Sequence, residues 1–350
     1  MIVRIEKELF NSPDPEILSS LAGIVRTALT KKFFWDIETV PNTDELKSTI
    51  WFNDYLSKTE QDKIIGEIEL INQLSNYNTA EHRFYLSTII IGLEKGQLSP
   101  LIAEKLLNSN SKILIENEDN DWNFIKAIIQ KYKNGSTNKT KRKPNRKQIY
   151  SLINQYLENK WIEPIHAGGG GEFEKRIEKV FEFEGSEFAC KLMTVFDSDK
   201  TSLNDTLKQE TINRIKYLKN IPNEIECNNF EYNAETDLII WHVLYKREME
   251  NYLPLQIVEK YALDSSISDY YKKSDIDLDF IDLENSLPIS DNAKRYFKRK
   301  FPKLFLHEEC TKQLLNDKCK HHSVQIEVTN NNLEEVTEIE HILIKIAKII

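Results

Sequence analysis

The chain has 350 residues and a net charge of −9, and its 40% hydrophobic and 29% charged content is that of a soluble globular protein large enough for two domains or one extended α/β unit. No run reaches the length of a membrane span, the acidic MIVRIEKELFNSPDPE at the N-terminus lacks the apolar stretch of a signal peptide, and the four cysteines are scattered rather than patterned. A cytoplasmic, reducing setting with no membrane partner is the expectation, and the acidic balance argues against a generic nucleic-acid coat protein.

Residues 1–110 read as a helical region. PEILSSLAGIVRTALTKKF, TEQDKIIGEIELINQL and AEHRFYLSTIIIGLEKG all space apolar residues by three and four, the period of one helical face. The region has no glycine-rich loop and no cluster of candidate ligands, which suits packing or partner contact.

The texture changes at Ser111, and residues 111–260 alternate short apolar runs with helical ones. The strand-like runs are KILIE, WIEPIHA, FACKLMTVFDSD and TDLIIWHVL; the helical runs between them are WNFIKAIIQKY, RKQIYSLINQYLENK, EFEKRIEKVFEF and TLKQETINRIKYLKNI. This order predicts an α/β fold: a Rossmann-like, mainly parallel sheet of about four strands flanked by helices, with ligands at the carboxyl ends of the strands. Glu116 ends the first strand, Gly168, Gly169, Gly170 and Gly171 follow the second, and Asp197 and Asp199 end the third. Lys246, Arg247, Glu248 and Glu250 follow the fourth, so every strand delivers polar residues to one edge.

In KLMTVFDSDK, Asp197 and Asp199 sit two apart, on the same side of an extended chain. Two carboxylates aimed at one point repel unless neutralised, and Mg²⁺ or Mn²⁺ held by oxygen ligands is the usual solution; ordinary turn and capping chemistry is the alternative. Glu116 can then serve as a general acid or base, Asp121, Glu118, Glu248 and Glu250 can hold a second ion, and Lys246 or Arg247 can neutralise charge on a phosphate. The four glycines precede a helix and allow close backbone approach to a phosphate; no fingerprint for ATP or dinucleotide binding accompanies them.

Two stretches offer basic surfaces. KYKNGSTNKTKRKPNRK, from Lys131 to Lys147, has eight basic residues and no acid; Lys141, Arg142, Lys143 and Arg146 are candidates for phosphate contact in an insertion near 133–147. NAKRYFKRKFPK adds Lys294, Arg295, Lys298 and Arg299, with aromatics that can stack on bases or face the core. Residues 261–350 otherwise read as mainly helical. Cys310, Cys319, His321 and His322 fit no strong zinc spacing, and His242 and His166 read as packed or hydrogen-bonded histidines.

A Glu after the first strand, glycines after the second and Asp-x-Asp after the third resemble the Toprim domain of topoisomerases, bacterial primases and the overcoming-lysogenisation-defect (OLD) nucleases. KREMENYLP, from Lys246, is similar to a segment of stand-alone Toprim proteins in anti-phage systems. The resemblance covers about Lys112 to Leu255 and implies Glu116 as acid/base or metal-linked carboxylate, Asp197 and Asp199 as metal ligands, and Glu248 and Glu250 as further acids. The chain departs from the pattern at Asn117, where Gly often follows the Glu, and at Asn120, with the acid one place later at Asp121. The resemblance implies an endonuclease dependent on one or two Mg²⁺ or Mn²⁺ ions, cutting RNA or DNA in anti-phage defence. It also implies control by a separate ABC-type ATPase or sensor, and leaves room for a homo-oligomer. The alternative is a Toprim-like module that has lost catalysis and serves as a scaffold recruited by a partner.

Overall fold

The computed structural model describes residues 1–30, 32–36, 42–73, 84–133, 144–168, 172–254, 257, 260, 279–280, 303–313, 323–329 and 332–350. Gly169, Gly170, Gly171, Lys141, Arg142, Lys143, Lys294, Arg295, Lys298, Arg299, Cys319, His321 and His322 lie outside these residues.

The N-terminal region corrects the all-helical expectation. Strand β1 (Ile2–Ile5) pairs in parallel with β2 (Phe34–Trp35) and β3 (Thr88–Ile91), giving the order β2-β1-β3. Thr88–Ile91 is TIII, four β-branched residues whose stiff χ1 suits a pleated strand better than the helix read there. Helix α1 (Pro15–Leu29) forms as its period predicts: Pro15 opens it, and the Asp14 carboxylate accepts from Glu16 N at 2.9 Å. Short helices α2 (Thr43–Lys47) and α3 (Ile50–Asp54) follow, then α4 (Lys58–Gln73) and, after β3, α5 (Pro100–Asn108), which packs along α1.

The four predicted central strands are present as β4 (Ser111–Ile115), β5 (Ile162–His166), β6 (Leu192–Phe196) and β7 (Ile240–Val243). All are parallel, in the order β5-β4-β6-β7. Alternate residues enter opposite cores: Ile113, Ile115, Met193 and Val195 one, Leu114, Leu192 and Phe196 the other. Helices α6 (Asp121–Tyr132) and α7 (Pro144–Glu158), which connect β4 to β5, cover the first face through Phe124, Ile128 and Ile153. The chain then crosses back, and α8 (Phe173–Glu184) and α9 (Gln209–Leu218) cover the second through Phe173, Ile177, Ile215 and Leu218. Each such fully buried side chain contributes about 1.5–3 kcal/mol.

Both additions share these cores. The N-terminal sheet and α1 continue the second core through Val3, Ile5, Leu21 and Val25. Lys32 Nζ and Lys191 Nζ bond carbonyls at the end of α5, at 2.7 Å to Asn108 O and 3.1 Å to Leu106 O, where the helix dipole favours cations. On the first face lies α11 (Glu338–Lys348), with Ile339, Ile342, Leu343 and Ile346 buried. It is preceded by α10 (Glu308–Gln313) and by an antiparallel hairpin of β8 (Ser323–Thr329) and β9 (Asn332–Thr337). That hairpin is a strand pair that the mainly helical reading of the C-terminal region did not include; its strands carry the alternation VQIEV that a helical reading passes over. No helix among the described residues is long and apolar enough to cross a membrane.

Candidate functional site

The order β5-β4-β6-β7 places a switch point between β4 and β6: the connection from β4 leaves toward one side of the sheet and that from β6 toward the other. Loops diverge there at the carboxyl edge, opening the crevice where such sheets bind ligands. Glu116 follows β4 directly and Asp197 follows β6 directly, so these two acids flank the crevice.

Asp197 is the electrostatic centre. Burial, then the carboxylates of Asp121, Glu250, Glu116 and Glu248, hold its carboxyl well above the ordinary carboxylate range, while Met249 N donates to Asp197 Oδ1 at 3.2 Å. Asp121, at the start of α6, is pushed up to about 7 by burial, with Glu116 adding to the rise and the Asn117 N–H at 2.8 Å opposing it. Three loops and the first turn of one helix therefore converge, and five of the acids expected from the sequence act on one another. Glu118 is exposed on the loop rim.

Asp199 departs from the expected side-by-side pair. The strand ends at Phe196, Ser198 N and Asp199 N both donate to Arg247 O at 3.1 Å, and Asp199 takes a left-handed φ of +55°. That turn costs a non-glycine residue about 1 kcal/mol. It sends the carboxylate toward Lys208 Nζ, 3.4 Å away, rather than alongside Asp197. Gly168 also has positive φ, +80°, and a Cβ there would lie 2.9 Å from the Glu172 Cβ, so glycine is required at this close approach to the start of α8.

The cations are distributed differently from the sequence reading. Lys246 is buried: its ammonium donates to Asn251 O at 3.1 Å, pairs with Asp279 at 2.8 Å and lies over the Tyr252 ring. Arg247 is buried too, and donates to Glu248 Oε1 at 3.0 Å and to Lys200 O at 3.4 Å. These two head groups brace the loops instead of facing a substrate. Besides Arg247 at Glu248, a second cation is set against the acids, Arg214 on α9, which the sequence reading missed. It donates to Glu116 Oε1 and, at 3.0 Å, to Glu210, while its guanidinium lies over the rings of Phe173 and Phe196. Only the Glu210–Arg214 spacing of four along a helix signals it in the sequence. Arg146, expected at a nucleic-acid surface, is 8% exposed and 3.6 Å from Glu340, so it is committed to the interior.

A bonded relay from α11 supports the site loops. The buried Glu338 carboxylate accepts from Tyr245 N at 2.8 Å and from the Tyr252 hydroxyl; that hydroxyl accepts from Lys246 N at 3.3 Å, and Lys246 O accepts from Ser198 Oγ at 2.7 Å. Glu338 also meets His242 Nε2 at 3.0 Å, and burial followed by the Lys345 charge holds His242 well below its usual range. His242 is thus a packed, hydrogen-bonded histidine, whereas His166 is exposed at the end of β5. Cys310 is fully buried, its thiol pushed up to about 12 by burial.

The acids form an all-oxygen donor set, the kind that hard divalent cations take. Among the described residues, no three of them are drawn close enough together to chelate an ion, and two are engaged by arginines, Glu116 by Arg214 and Glu248 by Arg247. The set fits a divalent ion in chemistry, and for Glu248 to join an ion it would have to leave Arg247. Comparisons with protein-family models, curated proteins and solved structures find no significant match.

Proposed function

We propose that this crevice is the site of a divalent-metal-dependent nuclease of Toprim type, cleaving phosphodiester bonds in RNA or DNA. The observation that carries the reading is the convergence of Glu116, Asp121, Glu248 and Glu250 on the half-buried Asp197 at a switch point. Carboxyls crowded so closely that burial and one another raise their pKa values cost the fold stability, which is the usual mark of a functional site. In this reading Asp197, Asp121, Glu248 and Glu250 would hold Mg²⁺ or Mn²⁺, while Asp199 stays paired with Lys208. When bound, the metal supplies charge stabilisation to the attacking and leaving oxygens of the phosphate. Glu116 orients the water or moves its proton, and Arg214, beside it, faces the negative charge that builds on the phosphoryl group. A role in anti-phage defence and control by an ABC-type ATPase rest on the Toprim resemblance, and docking on the N-terminal α/β region suits such a partner.

The test is calorimetric titration of Mn²⁺ into the wild type and Asp197→Asn, followed by cleavage assays on labelled RNA and DNA. Binding in the wild type that the variant loses, with cleavage lost in parallel, is the expected result; no binding in either removes the metal from the reading. A second reading, a scaffold that has lost catalysis, is favoured by the Glu116–Arg214 pair, because an arginine takes the place of an ion at the principal acid. Turnover by the purified protein, with or without a partner, would exclude it.

A further inference from the structure

Beside the crevice, on the outer side of edge strand β5, lies an open groove of about 520 Å³ between α6, the end of α7 and Ile162–Pro164. Its lining includes Trp122, one residue past Asp121, and three lysines, Lys126, Lys133 and Lys160. The lining also holds two acids, each bonded to an asparagine, Glu158 accepting from Asn154 Nδ2 at 2.8 Å and Glu163 from Asn110 Nδ2 at 3.2 Å, so its lysines outnumber its acids three to two. Among the described residues, the ammonium groups of Lys126, Lys133 and Lys160 form no ion pair or side-chain hydrogen bond. Lys160 is displayed by the left-handed turn that ends α7, with φ +57°. Burial holds the half-buried Lys126 ammonium below its ordinary range, with the Asp119 charge opposing the shift. The volume falls in the range of sites that take one nucleotide-sized ligand.

We propose that this groove binds single-stranded nucleic acid, with an unpaired base stacked on Trp122 and backbone phosphates on Lys126, Lys133 and Lys160. It deepens the nuclease reading by naming the substrate class of the same site: a strand seated here leads past Asp121 into the acidic crevice. Aromatic stacking accepts any base, and a duplex hides the base faces that Trp122 needs. The groove therefore selects unpaired strands without reading sequence.

The experiment is fluorescence anisotropy with a labelled 12-nucleotide single strand, its duplex and free AMP, in EDTA so that the metal plays no part. Wild type, Trp122→Leu and the triple variant Lys126→Ala/Lys133→Ala/Lys160→Ala are compared, with thermal melts confirming that each is folded. The single strand should bind more tightly than the duplex. Trp122→Leu should weaken it about tenfold with an unchanged salt dependence. The triple variant should lower the slope of log affinity on log salt by about 2, three phosphates at about 0.7 each. Wild-type affinity in both variants overturns the groove as the site, equal binding of duplex and single strand overturns the stacking, and AMP binding as tight as the 12-mer overturns the strand in favour of a nucleotide. Because no metal is present, loss of Mn²⁺ binding elsewhere leaves these outcomes untouched.

Discussion

Asp121→Asn is expected to stabilise the metal-free protein. The Asp121 carboxyl is raised from 3.8 to about 7, chiefly by burial and secondarily by Glu116. A group whose folded pKa exceeds its unfolded one lends stability that is complete below about pH 4 and lost as pH rises through about 7, because the folded state holds a proton that the unfolded chain has released. Fully expressed, the shift is worth about 4 kcal/mol, which partial exposure to solvent reduces to about 1–2. Asparagine keeps a carbonyl oxygen for the Asn117 N–H that caps the loop at 2.8 Å, so only the charge is removed. Melting in EDTA should show the variant about 2–4 °C above wild type at pH 8, with the gap narrowing toward pH 5. Parallel pH profiles, or a variant that melts lower at pH 8, would refute the claim that burial and Glu116 raise the Asp121 carboxyl.

Arg214→Gln removes a positive charge beside the acids, so Mn²⁺ affinity should rise about fivefold while metal-free melting falls; calorimetry showing weaker Mn²⁺ binding would make Arg214 a supporting group instead. Tyr252→Phe deletes the hydroxyl between Glu338 and Lys246 at a cost of about 1 kcal/mol, and amide exchange at Ser198 and Asp199 should quicken locally; unchanged exchange would break the relay. Glu338→Ala leaves Lys345 buried without its carboxylate and should cost about 3–5 kcal/mol in urea unfolding, against a smaller loss for Glu338→Gln.

The central sheet and its acids were legible in the sequence because each rests on a local rule. Short apolar runs alternating with periodic ones specify parallel strands and helices, and such a topology carries the residue after every strand to the same edge. The N-terminal sheet escaped the same reading because β2 has two residues and β1 and β3 four each, too few to display a period against the helices around them. Basic residues were legible in the sequence, but their presence does not say where a charge goes: Lys246, Arg247 and Arg146 are spent inside the protein.

By itself, then, the sequence determined that Glu116, Asp197, Glu248 and Glu250 come to one edge, since each follows a strand of a parallel sheet. Tertiary structure decided how they are held. Arg214 reaches Glu116 across 98 residues, Glu338 reaches Tyr252 across 86, and Asp199 turns away from Asp197 because a backbone carbonyl from the next strand's loop takes its N–H. Such contacts depend on the packing of helices over the two faces of the sheet, and no spacing within a strand or helix encodes a distance between elements that become neighbours only when the chain folds.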